Sequence, residues 1–539
     1  MEILPARPIV LIIRDGWGTN PHPQWNHANA VHLARKPVDD RLMATYPHGL
    51  IRTCGMDVGL PEGVMGNSEV GHQNIGAGRI VEQEVMRITG RIRDGSFFRN
   101  PILLGAIDHV RKTGGRIHFM GLCSDGRVHS DLKHLFGLLE LTKRERLPGE
   151  RVFVHAFTDG RDTSPNRGLE YIRTIEAKCQ EFGTNPVATV VGRYYPMDRD
   201  NRWDRVQAAY RLLTGGLGKR FPSAETAVKA FYQAPMSPKM SGDEFIEPSV
   251  MVHGERPIGI IQDGDAVVFF NFRGDRPRQL TKAFVLDEFP FHGKDKDGSI
   301  KPMGFDRGPR VDVHFVTMTA YEEGLPVRVV FEKPPKMENI LGDYLSRMGL
   351  KQFRCAETEK YPHVTFFFND YRDEPFVGEQ RRIIPSPREV KTYDEKPEMS
   401  ASEVTTAVIE RVGEGNDDFL VVNYANPDMI GHTGNLPAAI RAVEVVDECV
   451  GRVVNAVLRQ GGGLIVTADH GNCEQMVDPA TGAPHTAHTT YDVELIVVDE
   501  RFRGRKLRSG GRLADIAPTV LEMLGVPKPD TMTGDSLLS

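Results

Sequence analysis

The sequence predicts an α/β protein made of two α/β domains with mostly parallel central sheets. Three observations point there. A chain of 539 residues exceeds what one hydrophobic core normally serves. Short, nearly continuous runs of β-branched and aromatic residues read as strands covered on both faces, which is the pattern of parallel sheets. Stretches with apolar residues three and four apart alternate with those runs, and strand–helix alternation implies α/β architecture.

Each strand run ends in a polar cluster. Pro8–Ile13 leads to Arg14, Asp15 and Gly16, and Val152–Phe157 to Thr158, Asp159, Gly160, Arg161 and Asp162. Val187–Gly192 leads to Arg193, and Ala266–Phe272 to Arg273. Phe419–Pro427 leads to Asp428, and Gly462–Ala468 to Asp469 and His470. In such sheets, functional groups collect at the carboxyl ends of strands. Helical spacing covers Leu103–Lys112, Ser130–Lys143, Leu169–Glu181, Arg202–Thr214, Ala438–Arg459 and Leu513–Leu524. Phe291–Arg310 and Asp370–Arg382 read as insertions or surface loops. The charged stretch Arg79–Arg93 and the approach to Val311–Thr317 read as linkers.

Composition narrows the function classes. A formal net charge of −6 leaves no electrostatic footprint for nucleic acid or an anionic membrane surface. No apolar run reaches bilayer length, and Pro8–Ile13 is too short and too soon followed by charge for a secretory signal. The six cysteines show no paired spacing, which argues against a disulfide framework or a zinc-thiolate site. The expected setting is the cytoplasm, with reduced thiols.

Asp15, Asp428, His432, Asp469, His470 and His488 supply carboxylate and imidazole without thiolate, a donor set suited to Mn, Zn or Mg. Asp428 and His432 are four apart, so one helical turn carries both on one face. Asp469 and His470 follow a strand and precede Gly471, so both can diverge from a tight turn. Two such groups could hold two neighbouring cations across a phosphoryl transfer. Taken singly, each residue has a plainer reading as a helix cap, turn residue or hydrogen-bonded histidine. Ser68 stands in the Gly-flanked turn Met65–His72 at a probable helix start, where backbone N–H groups and the helix dipole favour phosphate. A metal could hold its hydroxyl as an alkoxide nucleophile; the alternative is a simple N-cap.

Ten ordered motifs carry a resemblance: MGNSEVGHQNIGAGR, SDGRVHSD, DGRD, GRYYPMDRD, FNFRGDR, AETEKYPHVTFF, PEMSA, NYANPDMIGHTG, TADHGNCEQM and TAHTT. Over essentially its whole length the chain resembles the cofactor-independent phosphoglycerate mutases of the alkaline phosphatase superfamily. The resemblance implies a phosphatase-like metal-binding domain, residues 1–82 and 312–539, with a phosphotransferase domain, residues 83–311, inserted into it. It implies interconversion of 3- and 2-phosphoglycerate in glycolysis and gluconeogenesis, without 2,3-bisphosphoglycerate. It also implies two divalent ions (Mn, with Mg, Co or Zn as alternatives) and a monomer with no nucleic-acid or membrane partner.

The resemblance assigns roles as well. Ser68 is the expected phosphorylated nucleophile and a ligand. Asp428, His432 and His488 form one expected metal set; Asp15, Ser68, Asp469 and His470 form the other. His129, Arg161, Asp162, Arg193, Arg199, Arg273, Arg276 and Lys360 are the expected substrate contacts, with Asp162 exchanging a proton and Lys360 countering phosphoryl charge. Planar guanidinium forks suit the phosphate and carboxylate of such a substrate. Arg14, Arg127, Asp131, Gly274 and the run Tyr491–Glu494 depart from the family pattern. Arg14 on a buried strand requires a partner, and Gly274 is expected to loosen its loop. Rival readings are a phosphopentomutase, a metal-dependent phosphohydrolase, or a non-catalytic binder of phosphometabolites.

Overall fold

A computed structural model describes residues 7–294 and 299–538. The chain forms two compact units, Met1–Gln83 with Pro335–Ser539, and Glu84–Pro334. Each is a mostly parallel sheet between helices, as the buried apolar runs require.

The first unit holds eight strands in the order Glu379–Ile384, Gln352–Glu357, Phe419–Tyr424, Ile9–Arg14, Gly463–Thr467, Val493–Val498, His48–Arg52 and Gly511–Arg512. Ile9–Arg14, the central strand, is buried along its whole length and runs parallel to both neighbours. Ile13 pairs with Asn423 on one side and Thr467 on the other. That register brings the chain after each strand out at one edge, so Asp15, Asp428 and Asp469 leave the sheet together. The long helix Leu436–Arg459 seals one face with a valine- and alanine-rich stripe.

The second unit has a sheet running Arg328–Phe331, His314–Thr319, Ala266–Phe269, Ile117–Leu122, Val152–Thr158, Val187–Gly192, Ser249–His253 and Lys219–Phe221, with Arg256–Pro257 beside Ser249–His253. Separate apolar clusters cover its two faces.

Several expectations change on contact with the structure. The return to the first domain does not come at 312, because His314–Thr319 and Arg328–Phe331 are strands of the second unit's sheet. The charged stretch expected as a linker holds a helix, Glu84–Arg93, which buries Val85 and Ile88; charge on its outer face hid that stripe. Within the expected surface segment Phe291–Arg310, an antiparallel hairpin pairs Phe291–Lys294 with Ile300–Met303, and residues 295–298 lie outside the described residues. The strand Glu379–Ile384 likewise begins inside the expected loop Asp370–Arg382. Gly274 does not loosen its loop: a Cβ there would meet Tyr321 Cα at 2.6 Å, so the backbone is pressed against that residue.

Arg14 has its partners. Its guanidinium donates to Asp39 at 2.6 Å, lies 3.7 Å from Glu494 and sits 4.2 Å from the Trp17 ring centroid. Two departures from the family pattern, at 14 and 494, therefore meet in space. Arg127 adopts a positive φ of 58°, the conformation for which glycine is the usual residue, and Asp131 caps the helix Leu132–Arg144.

Candidate functional site

In the first unit, six segments converge, bearing Asp15, Ser68, Lys360, Asp428 with His432, Asp469 with His470, and His488. Asp15 follows the central strand and is fully buried. Gly16 behind it has φ +74°, and a Cβ there would lie 2.8 Å from Asp428 Cα, so only glycine lets the two carboxylate-bearing segments close up. Asp428 sits in the short helix Asn426–Gly431, with His432 just beyond its end. Ser68 opens the helix Ser68–Ala77 but does not cap it: the Asn67 side chain takes that role, accepting from Val70 N at 3.0 Å. The Ser68 hydroxyl is thus left free of capping. Gly71, one turn on, admits Asp469, whose Cβ would be 2.8 Å from an added Cβ.

Ser68 Oγ lies 3.1 Å from Asp15 Oδ1, 3.0 Å from His470 Nε2 and 2.7 Å from Lys360 Nζ. Lys360 also donates to Asp15 at 2.8 Å and to Asp428 at 2.6 Å. Burial opposes charge on all of these groups, yet the pairings win. Burial works to raise the Asp15 carboxyl, but Lys360 and His470 hold it well below the usual carboxylate range. Asp428 is held down in the same way, by Lys360, His432 and His488 against the pull of burial. Lys360 is held above its ordinary value by Asp15, Asp428 and Asp469 against burial, and His470 is pushed up to about 10 by Asp469 and Asp15. Burial and the neighbouring His470 lower His488, while a hydrogen bond to Asp428 raises His432.

The imidazoles are oriented. His432 Nδ1 donates to Thr486 O at 2.7 Å and His488 Nδ1 to Gly66 O at 2.9 Å, since a carbonyl can only accept. The two Nε2 atoms then face each other at 3.0 Å, and lie 3.3 and 3.1 Å from Asp428 Oδ1. This is how metal-binding histidines are usually set, with the outer nitrogen tied to a carbonyl. The same three residues form one compact donor group; Asp15, Asp428 and His470 form a second, and Asp15, His72 and Asp469 a third.

These residues fit divalent cations. Among the described residues, three buried carboxylates, Asp15, Asp428 and Asp469, face one ammonium, that of Lys360. Both Asp469 oxygens are buried and make no hydrogen bond among the described residues, although His72 Nδ1 approaches to 3.1 Å. A buried carboxylate so placed calls for a cation.

The second unit gathers a different set. Arg193, 2% exposed, donates to Asp159 at 2.7 Å and Asp162 at 2.5 Å. His129 Nε2 is 3.8 Å from Asp162 and its Nδ1 3.6 Å from Asp275. Asp275 also pairs with Arg199 at 2.8 Å and Arg273 at 3.3 Å, and Arg161 faces Glu244 at 3.4 Å. Arg276 is shifted down by burial and then by Arg193, Arg199 and Arg161, so the guanidiniums are close enough to repel one another. Burial and Arg193 lower His129 to about 4, leaving it neutral near pH 7. Such a concentration of guanidinium forks suits an anion carrying phosphate or carboxylate. Of the expected substrate contacts, Lys360 alone lies in the first unit, against Ser68.

Sequence reasoning missed four residues of the first unit's site. Asn423 donates to Asp15 at 2.7 Å and lies 3.1 Å from His72 Nε2. Asn472 donates to Asp428 Oδ1 at 2.9 Å. Glu474 is fully buried beside them. All four lie inside the quoted motifs; His72 and Glu474 even stand four residues after Ser68 and His470, but the two asparagines carry no signal that separates them from ordinary polar neighbours.

Taken together, the parallel sheet and its edge of carboxylates, imidazoles and a serine define a metal-dependent α/β enzyme, and a model of the metalloenzyme superfamily matches residues 7–528. The chain is 61% identical over 534 residues to the 2,3-bisphosphoglycerate-independent phosphoglycerate mutase of Rhodopirellula baltica, covering 99% of this chain and 97% of that one. It is 51% identical to the enzyme of the same name from Moorella thermoacetica, covering 100% and 99%. Among solved structures, the Leishmania mexicana phosphoglycerate mutase determined at low cobalt concentration matches with a TM-score of 0.67 and 31% identity, covering 100% of this chain and 99% of that one. The chain belongs to the 2,3-bisphosphoglycerate-independent phosphoglycerate mutase family, and it is an isomerase.

Proposed function

We propose that the chain interconverts 3-phosphoglycerate and 2-phosphoglycerate through a phosphoserine at Ser68, with two divalent cations and no 2,3-bisphosphoglycerate. The observation that carries this reading is the position of Ser68 Oγ, within 3.1 Å of Asp15, His470 and Lys360 at once. Asp428, His432 and His488 would hold one cation; Asp15, Ser68, Asp469 and His470 would hold the other. Bound divalent cations there favour the ionised serine and offset charge on the transferred phosphoryl group. Manganese suits the carboxylate–imidazole set, with Mg, Co and Zn as alternatives.

The rest is the work of side chains. His129, Arg161, Arg193, Arg199, Arg273 and Arg276 bind the phosphate and carboxylate of phosphoglycerate. The ionised Ser68 Oγ bonds to phosphorus as the bond from phosphorus to the glycerate 3-oxygen breaks, and that oxygen takes a proton from Asp162. Lys360 keeps its ammonium beside the migrating charge. In the return step the 2-hydroxyl gives up its proton to Asp162, its oxygen bonds to phosphorus, and the Ser68–phosphorus bond breaks. No atom is gained or lost overall. The proposed setting is the cytoplasm, in glycolysis or gluconeogenesis, with the protein a monomer; no helix among the described residues is long and apolar enough to cross a membrane.

The test is a single incubation of manganese-loaded protein with 3-phosphoglycerate, without 2,3-bisphosphoglycerate. Formation of 2-phosphoglycerate is expected, with acid-stable phosphate trapped on Ser68. Ser68→Ala should reduce turnover to background, and retained turnover overturns the phosphoserine route. Release of free phosphate in place of isomerisation would select a phosphohydrolase.

A further inference from the structure

Glu474 is fully buried and belongs to none of the donor groups. Its carboxylate accepts from Gly18 N at 3.2 Å, from Asn472 N at 2.7 Å and from the Thr489 hydroxyl. These donors come from three segments: Gly18 lies 456 positions before the acid, Asn472 two before it and Thr489 fifteen after it. Gly18 follows Asp15, Asn472 follows Asp469 and His470, and Thr489 follows His488. The loops close tightly around the acid: a Cβ on Gly18 would lie 2.4 Å from Glu474 Cδ, and one on Gly471 2.4 Å from Glu474 Oε1. Further bonds tie the same segments together, from Thr489 N to Gly471 O at 3.0 Å and from Cys473 N to Gly16 O at 3.1 Å. Asn20 Nδ2 completes the knot by donating to the Glu474 carbonyl at 3.2 Å.

A buried carboxylate that spends its oxygens on two backbone N–H groups and a hydroxyl is a fixed template for the loops that carry them. We propose that Glu474 is a positioning residue of the metal centre, setting the spacing of the three loops that bear Asp15, Asp469 with His470, and His488. This rests on the metal reading of those residues under Proposed function. Glu474 acts through hydrogen-bond acceptance at fixed positions, so an uncharged acceptor of the same shape preserves the effect. A glutamine can turn its oxygen to Gly18 N and Asn472 N and its amide to the Thr489 oxygen.

The experiment is calorimetric titration of the full-length, metal-stripped protein with Mn²⁺, alongside thermal unfolding in chelator. The unaltered protein should bind Mn²⁺. Glu474→Ala should raise its Kd by about 10–100-fold, the usual cost of losing a residue that orients ligands. Glu474→Gln should stay within about threefold of the parent. If Glu474→Ala does not fold, Thr489→Val removes one donor and should raise the Kd by about three- to tenfold, one hydrogen bond's worth. An unchanged Kd with only a lowered Tm makes Glu474 a structural residue and overturns the inference. A Glu474→Gln variant as weak as alanine overturns it too, by assigning the effect to charge. Should the unaltered protein bind no Mn²⁺, the metal reading itself falls, and this inference with it.

Discussion

His432 Nε2 lies 3.0 Å from His488 Nε2, with the outer nitrogen of each ring tied to a backbone carbonyl. In the neutral tautomers those carbonyls fix, the facing nitrogens are both acceptors, and Asp428 Oδ1 adds a third acceptor within 3.3 Å. Mutual repulsion of three acceptors is relieved by a shared cation, or by the proton that Asp428 draws onto His432.

This geometry predicts stoichiometry. His488→Ala should lower the bound manganese from two ions per chain to one, measured by elemental analysis after gel filtration. On the proposed two-cation reading, turnover should fall by at least about a hundredfold, because the clamp would lose one side. Two ions still bound to the variant would remove His488 from the donor set.

Among the described residues, Lys360 is the only ammonium against the three buried carboxylates Asp15, Asp428 and Asp469, and it touches Asp15, Asp428 and Ser68. Lys360→Ala should lower stability in chelator by about 3–5 kcal/mol, the usual cost of orphaning buried charge. With metal restored, turnover should still be about 10²–10³-fold down, through loss of a charge aimed at the transferred group. Equilibrium urea unfolding and initial rates measure the two effects separately. If the stability of the chelated variant matches the parent, Lys360 is not the counter-charge of the cluster.

Much of the fold was legible because the central strands are apolar along their length and their helices carry clean three-and-four stripes. The runs Val152–Phe157 and Val187–Gly192 read as strands and are strands. Legibility failed where charge masks a narrow stripe, as on Glu84–Arg93, or where an edge strand is polar, as in Glu379–Ile384 with its exposed Gln380, Arg382 and Ile383. The end of the second unit was misplaced because Arg328–Phe331 is a short edge strand just beyond a turn-rich stretch. At the site, residues that bear charge announce themselves by type. Asn423 bonds Asp15 across 408 positions, Asn472 bonds Asp428 across 44, and Glu474 accepts from Gly18 across 456, and no spacing rule encodes that.

The pair Arg14–Asp39 shows the same limit from the other side. A charge on a central strand looked anomalous, and its partner arrives from the helix Pro37–Thr45. Both side chains are 2% exposed, so each depends on the other. Arg14→Leu should cost about 3–5 kcal/mol, while Arg14→Leu with Asp39→Leu should cost less than the two single changes summed, with a coupling of about 1–3 kcal/mol. A double-mutant cycle by urea denaturation measures it. Additive losses would mean that Lys36, which also bonds Asp39 at 3.0 Å, already suffices as its partner.

The acid sensitivity of the second unit should come in part from His134, buried in the helix Leu132–Arg144 with Nε2 3.1 Å from Thr89 Oγ1 and its ring edge-on to Phe272. Burial lowers this imidazole from 6.5 to about 4, and Asp131 only partly opposes the shift. The sign follows from proton counting. Between those values the unfolded chain binds a proton that the folded chain refuses, so stability is complete above about 6.5 and is lost as pH falls towards about 4. The full effect is about 3 kcal/mol, of which about 2 kcal/mol should be gone by pH 5. His134→Leu removes the titrating group and keeps an apolar side chain in the pocket. The stability difference between parent and variant should therefore shift by about 2 kcal/mol in the variant's favour between pH 7.5 and pH 5. Because Asp243, raised by burial to about 6, titrates in both proteins with the opposite sign, it cancels in that difference. A difference that stays constant with pH would mean that His134 takes up its proton without leaving the fold.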